Sequence, residues 1–196
     1  MANTYVYESD GNLYINLTNA CSNYCEFCVR NMRADYDGYD LWLDTEPTAK
    51  DVLSAIPEGK DYKEIVFCGY GEPTARFDVL KEIALALKDK YKLRLNTNGQ
   101  GSLINGRDIT GEVALLFDEV NVSLNASTAE KYDDICHSIY GKAAFGALLE
   151  FARSCAQKGV KTHLSVVDCI GPEEIEACRV LAFQNRILFK VRHFIN

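Results

Sequence analysis

The sequence has no excess of positive charge: 21 Lys and Arg against 28 Asp and Glu leave a formal net charge of -7 over 196 residues. Gripping phosphate backbones non-specifically needs clustered Lys and Arg, so a nucleic-acid substrate is disfavoured. No apolar run approaches the roughly 20 residues that a membrane span requires. The N-terminus has neither a basic start nor an apolar signal core. A cytoplasmic protein with no membrane partner is expected. Linker-like stretches, internal repeats and low-complexity tracts are also missing. With 47% hydrophobic residues, residues 1–196 are expected to form one domain around one core.

Against these absences stand eight cysteines. Cys68, Cys136, Cys155, Cys169 and Cys178 are scattered, unlike the close framework of a small disulfide-bonded protein. Cys21, Cys25 and Cys28 fall within eight residues and need an explanation of their own. Thiolates suit both iron-sulfur clusters and zinc, so ligand type alone leaves the metal open. The count is more informative. Structural zinc takes four closed ligands, whereas three cysteines on a four-iron cluster leave one iron free for a further ligand. Cys68 could be a fourth ligand, but its place at a strand end reads better as a small residue packed beside a cofactor. For Cys136, Cys155, Cys169 and Cys178 ordinary packing is expected.

The opening reads as a hairpin, Tyr5 to Glu8 and Leu13 to Leu17 around Asp10-Gly11. Strand-like runs recur at Glu64 to Cys68, Lys92 to Thr97, Glu119 to Leu124, Lys161 to Val167 and Ile187 to His193. Helical stretches lie between them, with starts at Ser127-Thr128-Ala129-Glu130, spaced as a capping box, and at Gly171-Pro172. Such alternation predicts an α/β fold, a partial (β/α)6 TIM-like barrel with an N-terminal β-hairpin. Period-2 reading puts Arg94, Asn96 and Asn98 on one face of their strand and Asn121, Ser123 and Asn125 on one face of the next, with His163 and Ser165 extending the stripe. A packed barrel interior would carry Val, Ile and Leu there. A polar interior predicts a bound polar cofactor.

At Cys21-x3-Cys25-x2-Cys28, with Phe27 before the last cysteine, the sequence resembles the radical SAM superfamily. Val66-Phe67-Cys68-Gly69-Tyr70-Gly71-Glu72-Pro73 is similar to the family's glycine-glutamate motif, with Tyr70 interrupting the usual adjacent glycines. The segments from Tyr14 to Cys21, Phe27 to Asn31 and Phe67 to Thr74 look closest to a small branch associated with TatD-type nucleases. The resemblance implies that Cys21, Cys25 and Cys28 hold a 4Fe–4S cluster and that S-adenosyl-L-methionine (SAM) is the second cofactor. By the same likeness Gly71 and Glu72 would meet the SAM amino group. Asn96 would face SAM, Ser123 and Asn125 its ribose, and Phe27 and Val167 would help to hold the cofactor, Val167 lining the adenine pocket. Arg94 or Arg192 would meet its carboxylate.

The implied function is reductive cleavage of SAM to a 5′-deoxyadenosyl radical that abstracts hydrogen from a substrate, with flavodoxin or ferredoxin as electron donor. No separate lid domain is evident, so a peptide or protein substrate is expected to cover the open barrel, with Tyr36, Tyr39 and Trp42 either its docking surface or a cap on the first helix. The competing class is a non-catalytic zinc-binding or iron-sulfur electron-transfer domain. Within the enzyme class, glycyl-radical activases and 7-carboxy-7-deazaguanine synthases are the compact alternatives.

Overall fold

In the computed structural model, residues 3–32 and 35–194 are described. Seven strands form one sheet in sequential order: β1 (Val6–Ser9), β2 (Asn12–Ile15), β3 (Ile65–Phe67), β4 (Leu93–Thr97), β5 (Glu119–Ser123), β6 (Lys161–Val167) and β7 (Leu188–Arg192). β1 and β2 are an antiparallel hairpin. β2 to β7 run parallel, and β1 and β7 remain the two edges of an unclosed half-barrel.

A short helix, α1 (Val29–Met32), follows the cysteine cluster and buries no residue; the outer face is covered by α2 (Ala49–Ala55), α3 (Phe77–Leu87), α4 (Gly101–Ile104), α5 (Thr110–Leu116), α6 (Ala129–Cys136), α7 (Ala143–Gln157) and α8 (Pro172–Gln184). α2 starts in a capping box between Thr48 and Asp51, and α8 has Pro172 in its first turn, where a missing N–H costs nothing. α6 departs from expectation. Its cap is Thr128, which accepts from Lys131 N. The Ser127 N–H is instead taken by Glu174 from α8 at 2.6 Å, and Glu130 pairs with Lys142 at 3.1 Å. A carboxylate from a distant element has replaced the local one.

Alternation along the strands sorts the two faces. Leu13, Ile15, Ile65, Phe67, Leu93, Leu95, Val120, Val122, Leu164 and Val166 are fully buried beneath the helices, together with Leu80, Ile83 and Leu148. Their burial is the main stabilising term. The inner face carries Arg94, Asn96, Asn121 and Ser123, as the period-2 reading requires, and Ser165 is buried at 1% exposure. No described helix is long and apolar enough to cross a membrane.

Candidate cofactor site

The three clustered cysteines sit on the loop that leaves the C-terminal end of β2, the mouth of the half-barrel. All three are free thiols with partial exposure. The loop is fastened on both sides. Tyr24 N and Glu26 N donate to Cys136 O and Ile135 O at 2.9 and 3.1 Å, tying Cys25 to the end of α6. Asn98 Nδ2 donates to Ser22 Oγ at 2.9 Å. Behind it Gln100 Nε2 donates to Asn23 Oδ1 (2.8 Å) and to Tyr132 Oη (3.0 Å), and Ser138 Oγ donates to Gln100 Oε1 at 2.9 Å. Sequence reasoning missed this buried network: Asn23, Gln100, Tyr132 and Ser138 form no local motif, and only the fold brings them together. Arg30 donates to Asn19 O and Asn23 O, both at 3.3 Å.

Burial pushes the Cys21 thiol up to about 12, with the Glu72 carboxylate adding to the effect. Burial also raises Cys28. The Cys25 thiol is lowered instead, first through its hydrogen bond with Cys136. Cys136 is fully buried, yet it packs directly against a clustered cysteine, which the sequence did not indicate. Cys68 projects into the barrel mouth beside Asn96 and near Arg94 and Arg192.

The turn after β3 closes against this loop. Glu72 N donates to Ala20 O at 2.8 Å. A Cβ on Gly71 would stand 2.3 Å from Thr18 O and 2.6 Å from Ala20 O, so only glycine fits. A Cβ on Gly69 would stand 2.0 Å from Asn16 Oδ1, a side-chain atom. Glu72 is 3% exposed and turned inward. Its Oε1 accepts from Thr74 N, Thr74 Oγ1 and Thr97 Oγ1 at 3.1, 2.7 and 2.7 Å. Among the described residues its Oε2 accepts only from Asn98 N, at 2.7 Å.

Asn96, Ser123 and Asn125 lie at the same mouth. Asn125, two residues beyond β5, has φ +57, a backbone state Asn tolerates, and among the described residues its buried Oδ1 has no partner. Asn121 Oδ1 and Arg192 Nε are likewise buried and unpaired. Val167 ends β6 at 8% exposure. Just beyond it, Cys169 and Ile170 line a cavity of about 640 Å³ together with Phe27, Met32, Ala126 and Ile135.

The segment from Tyr36 to Trp42 corrects the sequence-based expectation of a free docking loop. Tyr36 and Tyr39 bridge each other around a turn and pack on Tyr7 with ring centroids at 5.8 Å in both cases. Leu41 and Tyr70 are buried with them. Of the segment's aromatics Trp42 alone is substantially exposed, at 45%. The aromatics close the hairpin side of the barrel because Asn16 and Asn19 clamp the segment, donating to Leu41 O and Leu43 O at 2.8 Å each.

These residues suit a cluster with one open iron. The donor set is three thiols on one fastened loop. Among the described residues no three His, Cys, Asp or Glu side chains converge on a single metal ion. The unpaired Oδ1 of Asn125 stands at the same mouth, where a polar molecule would satisfy it.

No curated protein matches the sequence. Among solved structures, Streptococcus suis SuiB bound to precursor peptide SuiA is 17% identical at a TM-score of 0.69, over 97% of this chain and 40% of that one. A radical SAM methyltransferase from Sphaerobacter thermophilus is 16% identical at 0.64, over 96% and 57%. The enzyme anSMEcpe, with bound AdoMet and Cp18Cys peptide, is 14% identical at 0.67, over 94% and 51%. At such identities the likeness shows the fold, and this chain spans 40 to 57% of these relatives. The family is settled separately, by sequence. Residues 15–181 match the family model described as Radical SAM superfamily, and the chain therefore belongs to that superfamily, whose cofactors are a 4Fe–4S cluster and SAM.

Proposed function

We propose that this chain is a radical SAM enzyme in which Cys21, Cys25 and Cys28 hold the cluster. The observation that carries this reading is the fastened loop of three free thiols facing a half-barrel whose inner wall is polar. With both cofactors bound, the cluster would supply the one electron that splits SAM into methionine and a 5′-deoxyadenosyl radical, the hydrogen-abstracting species. The protein's part is placement and exclusion of water. Arg30 and the Asn23–Gln100–Tyr132 network hold the loop rigid. Glu72 Oε2, with one donor of its own, keeps an acceptor position for the SAM ammonium, and Gly71 brings the backbone close. Asn96, Ser123 and Asn125 offer polar contacts to the rest of SAM. Phe27 and the cavity beside Val167 and Ile170 provide an apolar bed for adenine. Flavodoxin or ferredoxin would supply the electron.

A peptide or protein is the substrate this reading favours. Two structural relatives were solved with peptides, SuiB with its precursor and anSMEcpe with Cp18Cys. Mixing reduced, cluster-loaded protein with SAM and size-separated cell extract, then following deoxyadenosine, tests it. Stimulation by a macromolecular fraction supports a peptide or protein. Stimulation confined to small molecules contradicts it.

A further inference from the structure

Deeper in the half-barrel are polar atoms that the cofactor contacts above leave unused. Asn121 is 6% exposed, and its neighbours dictate its orientation. Arg94, which can only donate, gives an N–H to Asn96 Oδ1 at 3.0 Å. Asn121 must therefore present Nδ2 to that same oxygen, at 3.2 Å, and its Oδ1 is left without a partner. Its register partner on β6 is His163, whose buried Nδ1 also has no hydrogen bond and lies 3.5 Å from Glu119.

Nearer the mouth, Arg192 donates an N–H to Ser123 Oγ at 3.3 Å, while its buried Nε is unpaired. Arg94, on the same inner face, is by contrast balanced by Glu64 at 2.8 Å. Among the described residues no carboxylate pairs with Arg192, whose charged or titratable neighbours are the thiols of Cys68, Cys25 and Cys169. Its backbone is held in place from β6. Asp168 accepts from Phe194 N at 2.8 Å and pairs with His193 at 2.9 Å. A half-buried guanidinium whose buried Nε has neither a hydrogen bond nor an anion is costly to fold around, and an acceptor kept unpaired beneath it is a second cost.

We propose that Arg192 and Asn121 form a substrate subsite for an amino-acid-like group, its carboxylate on the guanidinium and its N–H donating to Asn121 Oδ1. Ser123, where Arg192 ends, and Asn121 are one strand repeat apart, about 7 Å. Two hydrogen bonds and an N–Cα–C unit span that length. A free amino acid and the C-terminal residue of a peptide both supply this chemistry. The subsite rests on the radical SAM reading, because it places such a group on the inner wall beneath the cofactors.

The test is anaerobic calorimetry on cluster-loaded protein saturated with SAM. The probes are N-acetylglycine, standing for a peptide terminus, glycine, standing for a free amino acid, and N-acetylglycinamide, which lacks the carboxylate. At least one acid binds with a dissociation constant on the order of 1 mM, the stronger of the two identifying the source. The amide binds roughly tenfold more weakly or not at all, and Arg192→Gln removes the difference between acid and amide. Equal binding of acid and amide, or no binding of either acid, overturns the proposal. Acid binding that SAM abolishes also overturns it, because the guanidinium then belongs to the SAM carboxylate. The comparison on wild-type protein needs no variant to fold. Iron and sulfide content of the same sample reports the cluster separately, so failure of the subsite and failure of the cluster assignment are distinguishable.

Discussion

The Glu72 carboxylate accepts a 2.7 Å hydrogen bond from the backbone N–H of Asn98, tying the turn after β3 to the end of β4. Thr74 and Thr97 donate to the other oxygen. Expected from sequence as a ligand group at a strand end, Glu72 is also part of the frame. Glu72→Ala strands two buried backbone N–H groups, those of Thr74 and Asn98, and two hydroxyls, at a cost of about 3 kcal/mol or more. In a chain of this size that lowers Tm by roughly 6–12 °C, measured by thermal unfolding of the cluster-loaded protein. A wild-type Tm with weakened SAM binding would restrict Glu72 to the ligand role.

Gly71→Ala drives a Cβ into Thr18 O and Ala20 O, both backbone atoms of the segment leading into the cysteine loop. Neither can move without shifting Cys21. The variant is expected to fold but to take up less than half the iron of wild type on reconstitution, assayed by iron and sulfide content. Full loading would show that the loop tolerates the shift.

Cys136 touches Cys25 and Cys68 faces the barrel mouth, so each is placed to be mistaken for a ligand. Cys136→Ala and Cys68→Ala are expected to keep wild-type iron content and absorbance near 400 nm. Cys155→Ala and Cys178→Ala, changed beneath the helices, serve as controls. Loss of iron in either of the first two would add a fourth protein ligand and close the site to SAM.

The strands were legible because apolar and polar residues alternate cleanly and turn residues separate the runs. Lys161 to Val167 was read with its observed bounds, and the others shift by one or two residues at their ends. The polar stripe of Arg94, Asn96, Asn121 and Ser123 followed from the same periodicity. Contacts made at long range were not legible. The Ser127 cap was lost to Glu174, 47 positions away. Tyr36 and Tyr39 read as exposed because nothing near them in sequence shows that Tyr7 waits to pack against them. Gln100, fully buried, belongs to no motif in the sequence. Local chemistry leaves a signature in the sequence, whereas a partner supplied by the fold does not.

The ligand assignment is the centre of this account, and metal analysis of anaerobically reconstituted protein tests it most directly, with Cys21→Ala, Cys25→Ala and Cys28→Ala in parallel. Wild type is expected to be brown, to hold about four iron and four sulfide per chain with a band near ~400 nm, and to lose them in each single variant, because two thiolates cannot retain a site-differentiated cubane. Colourless wild-type protein with stoichiometric zinc, or a fully loaded Cys25→Ala variant, would contradict it.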